Sequence, residues 1–191
     1  MKYRESGMPI EELWQSFFNP VDTLKQMDVD KNIRILIDIG CGYGTFLLPA
    51  TELVSGNVIG IDVDEKMIEV CENKIQDTSI SNVHLINGDI STEDTIEQLK
   101  KYKAEIDYIT LFNILHCEKP LYLLQSVYDV LNKNGKIGVI HWNHEETTPR
   151  GPSMKIRPKP ETIIEWASKI GFTLKNQIDL PPYHFGLVFV K

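Results

Sequence analysis

Along the chain, short apolar runs alternate with stretches in which apolar residues return every three or four positions. The runs at 33–39, 57–62, 83–87, 106–112 and 136–142 predict strands, and the first is almost wholly apolar, as a strand covered on both faces should be. The periodic stretches predict helices over about 45–53, from an Asp64 cap to about Gln76, and over about 120–131, with Leu121, Leu124, Val127, Tyr128 and Leu131 turned inward. Ser91 with Asp94 has the spacing of a capping box that opens a further helix to about Leu99. Ahead of the first strand, Ile10, Leu13, Trp14, Phe17 and Phe18 share one helical face, with Pro9 suited to the first turn, and Asn19 can cap a second short helix with Pro20 at its first position. After the fifth strand comes an irregular, proline-rich stretch, then a helix opened by Pro160 that Gly171 can end in the left-handed conformation. Two closing strands, about 172–179 and 185–191, flank Leu180-Pro181-Pro182-Tyr183 and read as a hairpin. This alternation predicts an α/β fold, a doubly wound and mostly parallel sheet with helices on both faces and an antiparallel hairpin at the end.

The length of 191 residues suits one domain, residues 1–191, with 1–28 as a helical lid and 143–160 as a substrate-side loop. A formal net charge of -7 argues against a general nucleic-acid binder, which needs a broad basic face to displace counterions from phosphates. No apolar run reaches the ~18 residues of a membrane span. The start, MKYRESGMPIEE, shows no signal-peptide core, and Cys41, Cys71 and Cys117 are odd in number and widely spaced. The expectation is a cytoplasmic protein with reduced thiols.

Ligand chemistry concentrates in Asp38-Ile-Gly-Cys-Gly-Tyr-Gly44, where a buried strand runs through three alternate glycines into a helix. Glycines there let the chain turn sharply and let a ligand approach the backbone at the carboxyl edge of the sheet. A dinucleotide fingerprint needs a third glycine at Thr45 or Leu47, and a phosphate loop needs a following Gly-Lys-Ser/Thr; neither is present. The loop suits a ligand without phosphates, such as S-adenosylmethionine (SAM), although a tight turn alone would also account for the glycines. Asp62 ends the second strand, where a carboxylate can accept ribose hydroxyls. Asp89 follows the third strand, where it can accept an adenine amino group while Ile90 and Met67 flank the ring; taken alone each aspartate reads first as a cap or turn residue, and it is the three acids at successive strand ends that point to a ligand.

These segments, with Val58-Ile-Gly-Ile-Asp62, Gly88-Asp89 and Asp107-Tyr-Ile-Thr-Leu-Phe-Asn113, resemble the motifs of class I (Rossmann-like) SAM-dependent methyltransferases over about residues 33–142. The resemblance implies a seven-stranded sheet with a reversed strand near one edge. It implies that Asp38 and the loop of Gly40, Cys41, Gly42 and Gly44 hold the methionine end, with Asn113 facing it. It implies that Asp62, beside Val63, holds the ribose and that Asp89 with Ile90 reads the adenine. S-adenosylhomocysteine is then the product. Thr148-Pro-Arg-Gly-Pro152 and Pro181-Pro-Tyr-His184 resemble a bacterial branch of small methyltransferases, which brings no substrate with it.

Methyl transfer asks for an aligned acceptor and, for an O–H or N–H acceptor, a base. His116 after the fourth strand and His141 at the end of the fifth are the candidate catalytic residues. His141, His144, His184 and Cys117 match no strong metal pattern, and no metal is expected. The long loop carries Arg150, Lys155, Arg157 and Lys159 and no acid from 147 to 160. It reads either as a solvated face or as an anion site, with Arg150 as the fork and Tyr183 and His184 as further substrate contacts. The expected partner is a small, possibly anionic acceptor. A protein or nucleic-acid methyltransferase, or a SAM-binding module without catalysis, remains the alternative; the Asn113-Ile-Leu-His116 segment stands where many amino-group methylases carry Asp/Asn-Pro-Pro-Tyr/Phe.

Overall fold

The computed structural model describes residues 10–102 and 105–191. Residues 1–9 of the expected lid, Pro9 included, lie outside the described residues. In chain order the elements are α1 Glu11–Gln15, α2 Pro20–Gln26, β1 Ile35–Ile39, α3 Leu47–Leu53, β2 Asn57–Asp62, α4 Glu65–Gln76, β3 Val83–Asn87 and α5 Glu93–Leu99, then β4 Ile106–Phe112, α6 Pro120–Val130, β5 Lys136–Trp142, α7 Pro160–Ile170, β6 Thr173–Leu180 and β7 His184–Val190. The strands form one seven-stranded sheet in the order β3-β2-β1-β4-β5-β7-β6. The five strands from β3 to β5 are parallel, and β7 runs antiparallel to both β5 and β6. The expected hairpin is therefore present, and its second strand is the inserted one.

Strand alternation distributes the core between the two faces. Ile35, Ile37 and Ile39 of β1 join Ile109 and Leu111 of β4 under α6 and α7, represented by Leu123, Leu124, Val127, Ile163 and Ala167. On the other face, Leu36, Val58, Tyr108 and Ile140 meet Leu24 and Met27 at α2, Leu47 and Ala50 of α3, and Ile68 and Cys71 of α4. Two local expectations change. The helix after the glycine loop begins at Leu47, because residues through Phe46 are still in the turn. The Ser91–Asp94 capping box does not form: the N-cap is Thr92, and Ser91 instead donates from its N–H and Oγ to Asp89 Oδ1, at 2.8 and 2.7 Å.

Asp107 lies at the opposite end of β4 from the carboxyl edge. Its carboxylate receives Nε and Nη2 of Arg34, at 3.0 and 2.8 Å, and Nδ2 of Asn132 at 3.0 Å. That motif aspartate therefore clamps the β1 entry to β4, and Arg34 with Asn132 holds its carboxyl below the ordinary range against the opposing effect of burial.

Candidate functional site

At the carboxyl edge, the chain leaves β1 through Gly40, Gly42 and Gly44, all at positive φ (74°, 53° and 78°). A side chain is strained in that region, so the alternate glycines are a backbone requirement. The N–H groups of Gly40 and Cys41 donate to Ile61 O, at 2.7 and 3.2 Å, which ties the loop to β2. Asp62 completes the tie: its Oδ2 accepts from Gly42 N at 2.9 Å and its Oδ1 from Asp64 N at 3.0 Å. Asp64 then caps α4 by accepting from Lys66 N. One turn apart on α4, Cys71 Sγ donates to Gly42 O at 3.2 Å and Lys74 Nζ donates to Tyr43 O at 2.6 Å, so consecutive loop carbonyls are both engaged. The Cys41 thiol is pushed up by its hydrogen bond to Cys71 and by burial, which keeps it protonated.

These elements enclose a cavity of about 380 Å³, within the range of small-ligand sites. Of the cofactor residues expected from the sequence, Asp38, Gly40, Cys41, Gly42, Asp62, Val63, Met67, Ile90 and Asn113 line it. Gly44 and Asp89 do not. A Cβ on Gly44 would stand 3.1 Å from Cys71 Sγ, so this glycine lets α4 pack beneath the loop. Asp89 is turned to Ser91, and its neighbours Gly88 and Ile90 form the wall instead.

Three groups on this wall have unanswered chemistry. Asp38 is buried with Thr110 Oγ1 donating to it at 2.5 Å; burial pushes its carboxyl up to about 6, with the nearby Asp62 charge acting in the same direction and Thr110 against it. Asn113 sits at φ 57° just past β4, and its side-chain oxygen and nitrogen are buried with no hydrogen-bond partner, as is Thr45 Oγ1. Buried polar atoms without partners are costly. Together with a carboxyl that a ligand cation would pull down, they fit the zwitterionic amino-acid end of SAM. The sequence signal for Thr45 was its place directly after Gly44, where it had served only to exclude a dinucleotide.

The remaining wall is aromatic: Trp14 from α1, Phe46, Phe112 at the end of β4 and Trp142 at the end of β5, with Ile114, Gly151 and Pro152. Phe46 and Phe112 meet edge to face at 4.8 Å, and Phe17 braces Trp142 at 5.4 Å. Trp14 lies on the amphipathic stripe of α1, whereas no periodicity marks Phe46 or Pro152.

The histidines separate. His116 lines the cavity. His141 is wholly buried behind it, ring centroids 5.6 Å apart and nearly perpendicular, and stacks on Phe185. Burial first, then the proximity of His116, holds the His141 pKa well below the ordinary value, so it is neutral and removed from the cavity. This corrects the expectation that both histidines stand at the ligand. His184 is also fully buried, among Trp14, Phe18 and Trp142, with neither ring nitrogen hydrogen-bonded; burial and the Arg157 charge depress its pKa to about 3. Tyr183 stacks over Trp142 at 6.3 Å, behind the wall. Neither residue reaches the acceptor side as expected.

Arg150 is exposed and outside the wall, although the next two residues are part of it. The arginine that organises the loop is Arg157, which is buried. Its Nε and Nη2 donate to Pro152 O at 3.0 and 2.8 Å, its Nη1 to Asn143 O, Glu145 O and Thr148 Oγ1 at 3.0, 3.1 and 2.5 Å, and its Nη2 also to Arg150 O at 3.2 Å. With its guanidinium engaged by carbonyls, Arg157 holds Gly151 and Pro152 in place. Among the described residues, the wall carries no Lys or Arg side chain, and no group of three or more His, Cys, Asp or Glu could hold a metal.

Comparisons with known proteins bear on the family and the fold. A family model described as a methyltransferase domain (Methyltransf_31) matches residues 30–178. The demethylmenaquinone methyltransferase of Geobacillus sp. (strain WCH70) is 29% identical over 119 residues, 61% of this chain and 48% of that protein, so the chain spans about half the length of the curated relatives it matches. A SAM-dependent methyltransferase from Aquifex aeolicus has the same fold, with a TM-score of 0.82 at 21% identity over 99% of each chain. The magnesium protoporphyrin IX methyltransferase of Synechocystis PCC 6803, solved with bound SAM, overlays 93% of this chain and 80% of its own with a TM-score of 0.70 at 15% identity. The chain belongs to the class I SAM-dependent methyltransferases, and its cofactor is SAM.

Proposed function

We propose that the chain methylates a small molecule whose reacting part is a flat, uncharged ring bearing an ionisable hydroxyl or amine. The observation that carries this reading is the aromatic wall of Trp14, Phe46, Phe112 and Trp142, which shares one cavity with the glycine loop and with His116. Aromatic faces and edges favour a planar partner, and a wall without cations offers no fork to a buried anion. An acid group on such an acceptor would extend out of the cavity, where exposed Arg150 adjoins Gly151 of the wall. The relatives named for demethylmenaquinone point in the same direction.

When bound, SAM supplies a methyl group on a sulfonium, which leaves as S-adenosylhomocysteine. The chain does the rest. Asp38, ionised, would receive the ammonium end, and Asn113 would meet the remaining polar atoms of that end. Asp62 would accept from the ribose hydroxyls, and Met67 and Ile90 would flank the adenine. His116 would take the proton of an O–H or N–H acceptor. The aromatic wall fixes the angle of attack and excludes water. His141, neutral behind His116, limits how that ring can turn.

The test is a methyl-transfer screen over hydroxyarenes, amines, aliphatic carboxylates, peptides and RNA, followed by His116→Ala on whichever acceptor turns over. The expected outcome is turnover on ring acceptors, with kcat falling by about 100-fold or more in the variant and S-adenosylhomocysteine affinity unchanged. Turnover on peptides or RNA alone, or binding of SAM with no turnover on any class, would sink the proposal.

A further inference from the structure

We propose that Lys74 is a positioning residue that makes the acceptor wall sense the cofactor loop. Its ammonium donates to two partners at once: the backbone carbonyl of Tyr43 in the glycine loop, at 2.6 Å, and the carboxylate of Glu11 on α1. Tyr43 belongs to the cofactor side of the cavity, and α1 contributes Trp14 to its acceptor side. A single side chain on α4 therefore joins the two walls that meet different ligands.

The strength of the ion pair is not what gives it consequence. Glu11 and Lys74 are each more than a quarter exposed, and pairs so placed stabilise a fold only weakly. What matters is that α1 is only five residues long. A helix of that length has no stability of its own, so its position follows its anchors. On one flank these are aromatic contacts, Trp14 to His184 and, just past the helix, Phe17 to Trp142 and to Tyr183. On the other flank the anchor is Lys74. Glu11 is itself held, since its Oε1 also accepts from Gln15 Nε2 at 2.8 Å, one turn along the same helix. Any ligand that fixes the Tyr43 carbonyl fixes the ammonium, and through Glu11 it fixes the helix that carries Trp14. Because coupling between sites is reciprocal, loosening α1 must weaken the cofactor.

This inference rests on the SAM reading of the glycine loop, and the experiment separates the two. S-adenosylhomocysteine binding is measured by calorimetry for the wild-type chain, Lys74→Met, Lys74→Arg, Glu11→Gln and the double variant Lys74→Met/Glu11→Gln. Hydrogen exchange is followed in the peptide over 10–18, with and without S-adenosylhomocysteine. Lys74→Met and Glu11→Gln should each weaken binding about fivefold, the double variant no further, and Lys74→Arg should restore most of the loss. The ligand should slow exchange over 10–18 in the wild type and much less in Lys74→Met. If the variants melt lower but bind as tightly as wild type with the same protection, Lys74 only pins the helix and the inference fails. A wild-type chain that does not bind S-adenosylhomocysteine overturns the SAM reading itself.

Discussion

The loop after β1 and the loop after β5 form two walls of the same cavity, yet they are held in opposite ways. The first is short and held by its backbone: alternate glycines at positive φ, two N–H groups on Ile61 O, and a strand-end carboxylate clasping Gly42 N. The second is long, without helix or strand, and depends on one buried guanidinium that reaches four carbonyls and a hydroxyl. The first wall can tolerate changes in its side chains but not in its conformational freedom. The second can vary along most of its length provided Arg157 remains.

The strongest way to break this comparison is Arg157→Ala. It leaves four carbonyls without their charged donor, and a hydrogen bond to a charged group contributes about 1.5–3 kcal/mol net, less where water reaches the freed carbonyl. A stability loss of about 3 kcal/mol is expected in urea unfolding, while S-adenosylhomocysteine affinity changes little. A variant that stays as stable as wild type would show that the loop does not depend on this side chain.

Next in size is Gly40→Val. Gly40 stands at φ 74°, and a Cβ there would lie 2.9 Å from Ile114 Cγ2. Left-handed strain of about 1–3 kcal/mol should appear mainly in SAM and S-adenosylhomocysteine affinity, read by calorimetry. A smaller loss than that from Pro152→Ala would reverse the assignment of the two walls.

Acidity separates the walls again. Asp38 is raised to about 6 by burial, so its charge costs stability above that pH. Its contribution to folding is therefore most favourable below its ordinary unfolded pKa and is lost as pH rises through about 6. Ligand binding runs the other way, because an ammonium needs the ionised form. S-adenosylhomocysteine affinity should fall about tenfold per pH unit below the Asp38 pKa in the free protein, and Asp38→Asn should remove that slope. Calorimetry from pH 7 to pH 5 checks both. The smallest effect belongs to Arg150→Ala, exposed and outside the wall. It should leave stability unchanged and weaken an acidic acceptor by no more than about 1 kcal/mol in a KM comparison.

The difference between the walls also explains what could be read in the sequence. Strand ends, glycine spacing and the Asp64 cap are local, and Asp38, Gly40, Gly42 and Asp62 fall where residue order put them. Asp89 has the same local signature, but Ser91, two residues on, donates twice to its Oδ1, and Asp89 stays outside the cavity wall. Arg157 and Arg150 are indistinguishable in a list of loop cations. Only the three-dimensional path of 143–157 decides which guanidinium turns inward. His116 and His141 likewise both follow strands at the ligand edge. The register of β5 against β7 sets His141 opposite Phe185 and so seals it from the cavity.

The position of β7 has a consequence for synthesis. The last strand in chain order lies between β5 and β6 rather than at the sheet edge. During translation, β6 emerges with no neighbour to pair with, and β5 has one side open until residues 184–190 leave the ribosome. The parallel strands, by contrast, can assemble as each helix returns the chain. The nascent protein thus presents two unpaired strand borders until β7 is made, the exposure that makes incomplete sheets aggregate. A chain stalled before Gly186 would be a client for chaperones although most of its core is already made.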